Sequence, residues 1–395
     1  MDALSRTIDA AVQKHDYPAL IGVFTDSNGP AKWHNVGQGE QRSVAAHFIQ
    51  TAVASGTFFP RAFDNADVVQ VVIIALGHLP STVPNAADNK LRHMLFDYKV
   101  NTEGDYAGAA RILGGTRMED DPTSVYHTSP AEKCDVYVKI AECFLAEDLI
   151  AESDSAVTKA GSVVEGIKNP EEHMALILRY KSTYARVLDA NRKFLQAAQR
   201  YHDLSLSATD AIDKDDLLTM LGRAATCAIL APSGPQRHRV LGHIYKDKRL
   251  SQLDAMDDFA THSKILEKNY MHQILRKEEL TKFEQSLQPH QRAIMGDGLT
   301  IVERGVVEHN MIAVSMLYRS IYVKELANIL GVDPRKAEKL ASTMIMDGSL
   351  NGSIDQIEGL LEFQIDESPQ SYFDGSITNF CIELNAVADA VKAEA

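Results

Sequence analysis

The stretch SIYVKELANILGVDPRKAEKLASTMIMDGSLNGSIDQIEGLLEFQI, residues 320–365, decides the fold of this chain. It opens on a short extended piece at 320–323, where aromatic and β-branched residues favour a strand. The run KELANILGV follows and predicts a helix with Leu326, Ile329 and Leu330 on one face. The segment therefore begins as a strand followed by an amphipathic helix.

The run DPRKAEKLASTMIMDG, residues 333–348, predicts a second helix. Asp333 suits the N-cap, Pro334 suits the first turn, and Gly348 suits the C-terminal stop. Two short strands joined by a turn are expected beyond it, near 350–354 and 360–365. The apolar face of this second helix comprises Ala337, Leu340, Ala341 and Met344.

A long helix is predicted just before this stretch, over DGLTIVERGVVEHNMIAV at 297–314. The complete order is then helix, strand, helix, helix, strand, strand, which is the order of a winged helix. A winged-helix subdomain with a small β-sheet is therefore expected over 291–366.

Upstream of this subdomain, apolar residues recur at helical spacing between short polar breaks, such as LDAN at 188–191. A loose self-similarity of roughly 35 to 40 residues predicts helix pairs stacked as a tetratricopeptide-like solenoid. We therefore expect a mostly all-α chain: a helical-repeat (TPR-like) arm over 1–290, the winged helix, and a C-terminal helix over 367–395.

The first hundred residues are less regular. The run VVQVVIIAL, 68–76, is β-branched enough for a buried strand, but its context favours a buried helix. In GDYAGAARIL, 104–113, the small residues Ala107, Ala109 and Ala110 would let paired helices approach closely. The following run to residue 130, GGTRMEDDPTSVYHTSP, predicts a long exposed loop.

The last segment carries apolar residues at spacings of four and three, a seam that an isolated solvent-exposed helix does not need. It should pack against other helices, either of this chain or of a partner, and we favour a partner. The seam consists of Phe373, Ile377, Phe380, Leu384, Val387 and Val391.

The charge balance argues against nucleic acid as a ligand. Acidic residues outnumber basic ones 54 to 40, which gives a net charge of -14, and no run of basic residues stands out. The apolar run 68–76 is far too short for a membrane span, and MDALSRTIDA at the start has no secretory pattern. We expect neither nucleic acid nor membrane as a partner.

No catalytic, metal or cofactor motif is found. There is no HxH pair or HExxH for zinc, no GxxxxGK or GxGxxG for phosphates, and no GxSxG elbow. His238 and His243 lie five residues apart, on different faces of a helix. The four cysteines form no CxxC pair and are expected to be buried, reduced thiols of a cytosolic or nuclear protein. We predict no enzyme and no cofactor.

A winged helix can read DNA through its second helix. That helix carries Arg335, Lys336 and Lys339, but Asp333, Glu338 and Asp347 oppose them and no asparagine or glutamine is placed to read adenine. The alternative is that the sheet edge docks another protein chain. We favour docking and keep DNA binding as the lesser hypothesis.

Four runs resemble the subunit-four family of the COP-nine signalosome, a PCI-domain family. They are YARVLDANRKFLQAAQRYHDLS (184–205), CAILAPSGPQRHRVLGHIYKDKR (227–249), LQPHQRAIMGDGLTIVERGVVEHN (287–310) and KAEKLASTMIMDGSLNGSIDQIEGLLEF (336–363). The resemblance spans about 130 to 365; the first hundred residues and those after Phe363 depart from the family pattern.

The resemblance implies a non-catalytic scaffold subunit in a complex that removes a ubiquitin-like modifier from cullins, with the chemistry on a separate metalloprotease subunit. Implied partners are other PCI subunits, metalloprotease-domain subunits and cullin-RING ligases, in cytoplasm and nucleus. The alternatives are a paralogous PCI scaffold of the proteasome lid or of a translation-initiation complex.

The family's contact region maps onto 318–365 and its bundling tail onto 373–391. The predicted partner interface comprises Tyr318, Ile321, Arg335, Lys336, Lys339, Ile354, Ile357, Phe363, Phe373, Ile377, Phe380, Leu384, Val387 and Val391.

Overall fold

The computed structural model describes most of the chain. The described residues are 2–24, 37–56, 58–78, 86–124, 126–207, 213–294, 296, 298–363, 373, 376–378, 380–382 and 384. They form two compact units, one made of the described residues up to 191 and the other of those from 192 onward. Within the described part of the chain, no helix has the length and hydropathy that a membrane crossing requires.

The first unit consists of helices. In chain order they are α1 (Asp2–Lys14), α2 (Tyr17–Phe24), α3 (Gln38–Ala54), α4 (Phe58–Ala62), α5 (Ala66–His78), α6 (Ala86–Tyr98), α7 (Tyr106–Gly114), α8 (Pro130–Ala146), α9 (Ile150–Val164) and α10 (Met174–Ala190), with a π-helical turn at Lys99–Glu103 after α6.

The ambiguous run 68–76 lies within α5, so the helix prediction is confirmed. Val68, Val69, Val71 and Val72 are all buried, because α3 and α2 pack against α5. A helix that is apolar on nearly all sides needs such neighbours to be stable. Helix α5 thus lies in the centre of the core shared by α1 to α6.

Helices α8 and α9 pack extensively against each other. Ser129 and Glu132 close a capping box at the start of α8, with Pro130 in the first turn. The Ser153 hydroxyl of α9 donates to the carbonyl of Ala141 at 2.8 Å, where small side chains let the two backbones approach. Ala109 and Ala110 of α7 are fully buried beside α8, as the sequence predicted.

The loop between α7 and α8 is more ordered than the sequence suggested. Tyr126 is buried, and the Arg117 guanidinium lies 5.4 Å from the centre of its ring. The Asn89 side chain holds the backbone of Arg117 from both sides, at 2.7 and 3.1 Å. The prediction of an exposed loop is therefore correct only for its acidic middle part.

The second unit continues the helices and adds a small sheet. In chain order its elements are α11 (Phe194–Ser205), α12 (Lys214–Leu230), α13 (Pro235–Tyr245), a 3₁₀ helix (Lys248–Ala255), α14 (His262–Tyr270), α15 (Lys277–Ser286), a 3₁₀ helix (Pro289–Arg292), α16 (Ile301–Leu317), β1 (Ser320–Tyr322), α17 (Val323–Leu330), α18 (Pro334–Met346), β2 (Gly352–Asp355) and β3 (Leu360–Phe363).

The predicted winged-helix order is confirmed from α16 to β3. The sheet is antiparallel in the order β1-β3-β2, with Ile321 opposite Leu361 and Ile354 opposite the same residue. The predicted face of α18 is buried, but one residue of α17 is not: Ile329 is exposed. It lies at the edge of the buried face of α17, which is formed by Val323, Leu326, Ala327 and Leu330.

Three of the four cysteines are buried, and burial raises the pKa of Cys134 and of Cys143 to about 11. Cys381 is exposed, so the prediction that all four are buried is wrong for the cysteine of the tail.

Candidate assembly interface

Helix α16 is fixed to the preceding segment by two buried side chains. The Asn310 amide accepts from the backbone N–H of Leu275 at 2.8 Å and donates to its carbonyl at 2.9 Å. His309 Nε2 donates to the carbonyl of Gln273 at 2.9 Å. Because the two Asn310 bonds are buried and the His309 bond is partly buried, the start of the winged helix has one defined position on the segment before it.

Burial keeps two histidines of this region neutral. It lowers the pKa of His309 to about 4 and that of His262 to about 4, because an imidazolium would lose its hydration there. His262 Nε2 lies 2.9 Å from the hydroxyl of Thr226, which in turn donates to the carbonyl of Gly222.

The turn between β2 and β3 holds an apolar side chain out in solvent. Asp355 Oδ1 accepts from the backbone N–H of Ile357 at 2.8 Å and from that of Glu358 at 3.1 Å. Gly359 takes φ 66°, which the turn requires and few other residues adopt. Ile357 is 98% exposed at the tip as a result.

A groove lies between α18 and this turn, and we call it the wing groove. Met346 of α18 and Ile357 of the turn are exposed apolar residues of its lining, and Arg335 and Lys339 line it together with carboxylates. Gln356 donates to Glu338 Oε1 at 2.9 Å and closes part of the floor. The groove is lined mainly by Arg335, Glu338, Lys339, Thr343, Met346, Ile354, Asp355, Ile357 and Glu362.

Mixed charge in the wing groove disfavours DNA. A phosphate backbone would meet Glu338, Asp355 and Glu362 in the same groove as Arg335 and Lys339. Apolar side chains flanked by both signs of charge are typical of a surface that recognises protein.

The opposite edge of the sheet carries a second apolar surface. Met316, Leu317, Tyr318 and Tyr322 are exposed at the end of α16 and along β1, and Leu317 is 70% exposed. Within the described residues, no strand pairs with the outer edge of β1 or of β2. Both edges therefore offer backbone groups next to apolar side chains.

The predicted interface residues divide into three groups in the structure: those at the surface of the winged helix, those in its core, and those of the tail. Tyr318, Arg335, Lys336, Lys339 and Ile357 lie on the surface of the winged helix, and Ile354 is half-buried in the wing groove. The prediction has to be corrected for Ile321 and Phe363, which are buried in the winged-helix core. Alternation along a strand points them inward, where they support the sheet and offer no contact surface.

The tail is described only in part. Phe373, Ile377, Phe380 and Leu384 are helical and exposed, at the predicted spacing of four, three and four. Val387 and Val391 lie outside the described residues. In the described part of the chain, the seam is an apolar stripe in contact with solvent.

Sequence reasoning missed four exposed apolar residues: Met316, Leu317, Tyr322 and Met346. Met346 could have been found, because it lies two residues after the buried Met344 and hence on the other side of α18. Leu317 could not, since its exposure follows from the helix ending there.

The described residues contain no group of histidine, cysteine or acidic side chains arranged to hold a metal ion. The arrangement just described can bind another polypeptide through two sheet edges, one groove and one apolar stripe.

Comparison with known proteins gives matches over most of the chain. The PCI domain model matches residues 255–365, and the model for the PSMD12/CSN4 N-terminal region matches residues 86–215.

Among curated relatives, COP9 signalosome complex subunit 4 of Arabidopsis thaliana is 37% identical over 73% of this chain and 71% of its own length. The same subunit of Drosophila melanogaster is 37% identical over 76% of this chain and 69% of its own length. That of Dictyostelium discoideum is 38% identical over 67% and 64% respectively.

Proposed function

The chain belongs to the COP9 signalosome subunit 4 family, and on that premise we propose that its winged helix and its tail join it to neighbouring subunits of such a complex. Members of this family are non-catalytic PCI scaffold subunits, and removal of the ubiquitin-like modifier from cullins is the work of the whole complex. The chain's own task is to hold other subunits in place.

The observation that carries the proposal is that both outer edges of the sheet are open within the described residues. The edge of β1 lies beside Leu317 and Tyr318, and that of β2 lies beside Ile357. A partner strand added to either edge would gain backbone hydrogen bonds, and the apolar side chains would add affinity. Two such edges allow two neighbours, which we propose to be other PCI subunits of the complex.

The tail supplies the second contact. The stripe from Phe373 to Leu384 is too apolar to remain in water when a helical partner is at hand. We assign it to a bundle of helices formed with other subunits, including those with a metalloprotease domain. The residues 1–290 then form an arm toward a cullin-RING ligase, 291–366 the docking subdomain and 367–395 the bundling helix, in cytoplasm and nucleus.

Affinity purification of tagged protein from cells, with mass spectrometry of what co-elutes, tests the proposal. Several PCI subunits with two metalloprotease-domain subunits and cullins are expected. Subunits of the proteasome lid would instead place the chain in the paralogous complex, and chromatin alone would overturn the docking role.

Two variants test the tail stripe and the wing groove independently. Leu384→Asp places a carboxylate in the stripe and should release the subunits bundled with the tail, because a buried unpaired charge is costly. Ile357→Asp should weaken only the neighbour at the wing groove. Ile329→Asp, at an exposed position of α17, is the matched control and should leave both sets of subunits bound.

A further inference from the structure

Two apolar surfaces of the second unit are exposed to solvent. One is formed by the end of α16 and by β1, and we call it the β1-edge patch; it consists of Met316, Leu317, Tyr318 and Tyr322. The other is the tail stripe, which consists of Phe373, Ile377, Phe380 and Leu384. Each of these residues is between 45% and 70% exposed. Grouped apolar side chains of this kind are typical of surfaces on which another element packs.

The chain leaves the sheet beside the β1-edge patch. The backbone N–H of Phe363, the last residue of β3, donates to the carbonyl of Arg319 at 2.8 Å. Arg319 directly follows Tyr318 of the patch. Ile357, the exposed apolar residue of the wing groove turn, lies beyond the other end of β3, which begins at Leu360. The segment that leads to the tail therefore starts next to the β1-edge patch and away from the tip of the turn.

The length of the connection lets the tail reach this patch. Residues 364–372 join β3 to Phe373, and a chain of this length spans up to about 33 Å when fully extended. As an α-helix, the stripe from Phe373 to Leu384 is about 16 Å long. The backbone from Tyr318 to Tyr322 extends over about 13 Å. The tail stripe can thus lie along most of the patch without any change in the sheet.

A short covalent connection favours the chain's own tail over a second copy as the cover of the patch. A linker of this length holds the tail near the patch at an effective concentration in the millimolar range. A second copy would have to be present at a comparable concentration to compete. Packing of the stripe on the patch would remove apolar side chains of both surfaces from water, which is the main favourable term in such contacts.

We propose that, in a copy of the chain without neighbours, the tail packs on the β1-edge patch, with the tail stripe against Leu317, Tyr318 and Tyr322. The inference rests on the proposed function, because the patch and the stripe are the surfaces assigned there to other subunits. A subunit that docks on the β1 edge would displace the tail and make the stripe available to the helix bundle. The arrangement in which both surfaces are exposed is the state that is open to partners. Docking at the β1 edge and bundling of the tail are then coupled steps of assembly.

Cys381 provides a chemical handle in the tail. Its thiol is exposed, whereas those of Cys134, Cys143 and Cys227 are buried. Burial raises the pKa of Cys134 and of Cys143 to about 11, which keeps both in the unreactive thiol form at neutral pH. Met316→Cys adds a second exposed thiol, within the β1-edge patch. A short bis-maleimide should link this thiol to Cys381 within one molecule of the purified full-length chain.

Met346→Cys is the matched control, because Met346 is 78% exposed and Met316 is 62% exposed, both on the winged helix. The intramolecular cross-link should form about tenfold faster with Met316→Cys than with Met346→Cys, since docking holds Cys381 at the patch. Adding Leu317→Asp to Met316→Cys should lower the rate to that of the control, because a carboxylate disfavours the apolar contact. Mass spectrometry distinguishes links within one chain from links between two.

Equal rates for the two cysteine variants would overturn the proposal, and so would cross-links that form only between two chains. A rate that Leu317→Asp leaves unchanged would show that the patch does not hold the tail. In the assembled complex the link between Met316→Cys and Cys381 should be lost, and its persistence there would contradict displacement of the tail. Co-purification of subunits by the unaltered chain does not depend on the cross-link, so failure of this inference is distinct from failure of the assembly role.

Discussion

The bundle of α1 to α6 and the helices α11 to α16 bury different kinds of side chain. The bundle is filled by aromatic rings, with Phe48 5.4 Å from Phe24 and 6.3 Å from Phe58 between ring centres. The interior of α11 to α16 holds Arg237 and His309, both hydrogen-bonded to backbone carbonyls. An apolar core can stabilise the fold with its side chains packed in more than one arrangement. A buried polar network is stable only when every hydrogen-bond partner is in place.

Arg237 is the centre of such a buried polar network. Its guanidinium donates to the carbonyls of Ala228 and Ile229 and to Asn269 Oδ1, at 3.0, 2.9 and 2.8 Å. Burial lowers its pKa to about 10, which still leaves it charged at neutral pH. The network therefore fixes the ends of α12 and α14 relative to α13, at the cost of sensitivity to any change in charge nearby.

Lowering the pH should produce the largest difference in stability between the two regions. Below the ordinary histidine pKa of 6.5, the unfolded chain takes up protons that folded His262 and His309 refuse until about pH 4. The free energy of unfolding of the α11–α16 region should thus fall as pH drops from 6.5 to 4, by about 3 kcal/mol for each histidine. Hydrogen exchange followed by mass spectrometry over this pH range measures this fall in stability for each region.

The described residues of the bundle include no histidine that is buried to the same degree, so its protection should change less. His309→Gln should make the stability of the α11–α16 region less dependent on pH. An equal loss of protection in both regions would show that the buried histidines are not the cause.

Phe48→Ala should be the largest single change in the bundle. Removing a fully buried ring that contacts two others leaves a cavity and typically costs about 3 to 5 kcal/mol. Hydrogen exchange should accelerate in α1 to α6 and stay unchanged in α11 to α16. A loss spread evenly over the chain would mean that the two regions unfold together.

Asn310→Ala tests the polar network at its tightest point. Without the amide, the backbone N–H and carbonyl of Leu275 lose their buried partners, at a cost of about 2 kcal/mol. Urea unfolding followed by far-UV circular dichroism should show this loss of stability. Ser315→Ala on the same helix, whose hydroxyl bonds only within α16, should cost far less.

Thr226→Val should have the smallest effect of the series. It keeps the shape of the side chain but deprives His262 Nε2 of its partner, which costs about 1 kcal/mol at neutral pH. Urea titration at pH 7 measures it. Thr219→Val, whose hydroxyl is exposed and bonds within its own helix, serves as the control and should have little effect.

Much of this fold follows from the sequence because apolar periodicity carries it. The helix α18 with Leu340 inward and the order of elements in the winged helix could be predicted from local spacing, and the helix α5 from its context. Ile321 and Phe363 were misplaced because an apolar residue in a short strand reads the same whether it faces the core or a partner.

The contact between Asn310 and Leu275 could not be predicted at all. The two residues lie 35 positions apart in the sequence, and no motif marks either of them. Only the packing of α16 on the preceding segment brings the amide to the backbone of Leu275. Polar groups that meet through tertiary structure leave no local signal for sequence reasoning to use.

In the part of the chain that the structure describes, both outer edges of the sheet are unpaired, which has a consequence for a copy of this chain that has no neighbours. Pairing of the β1 edge of one copy with the β2 edge of another would run head to tail and could continue from copy to copy, whereas pairing of two like edges would stop at a dimer. A cell making more of this subunit than of its partners would have to chaperone or degrade the excess. The abundance of the chain is therefore expected to follow that of the subunits that cover its edges.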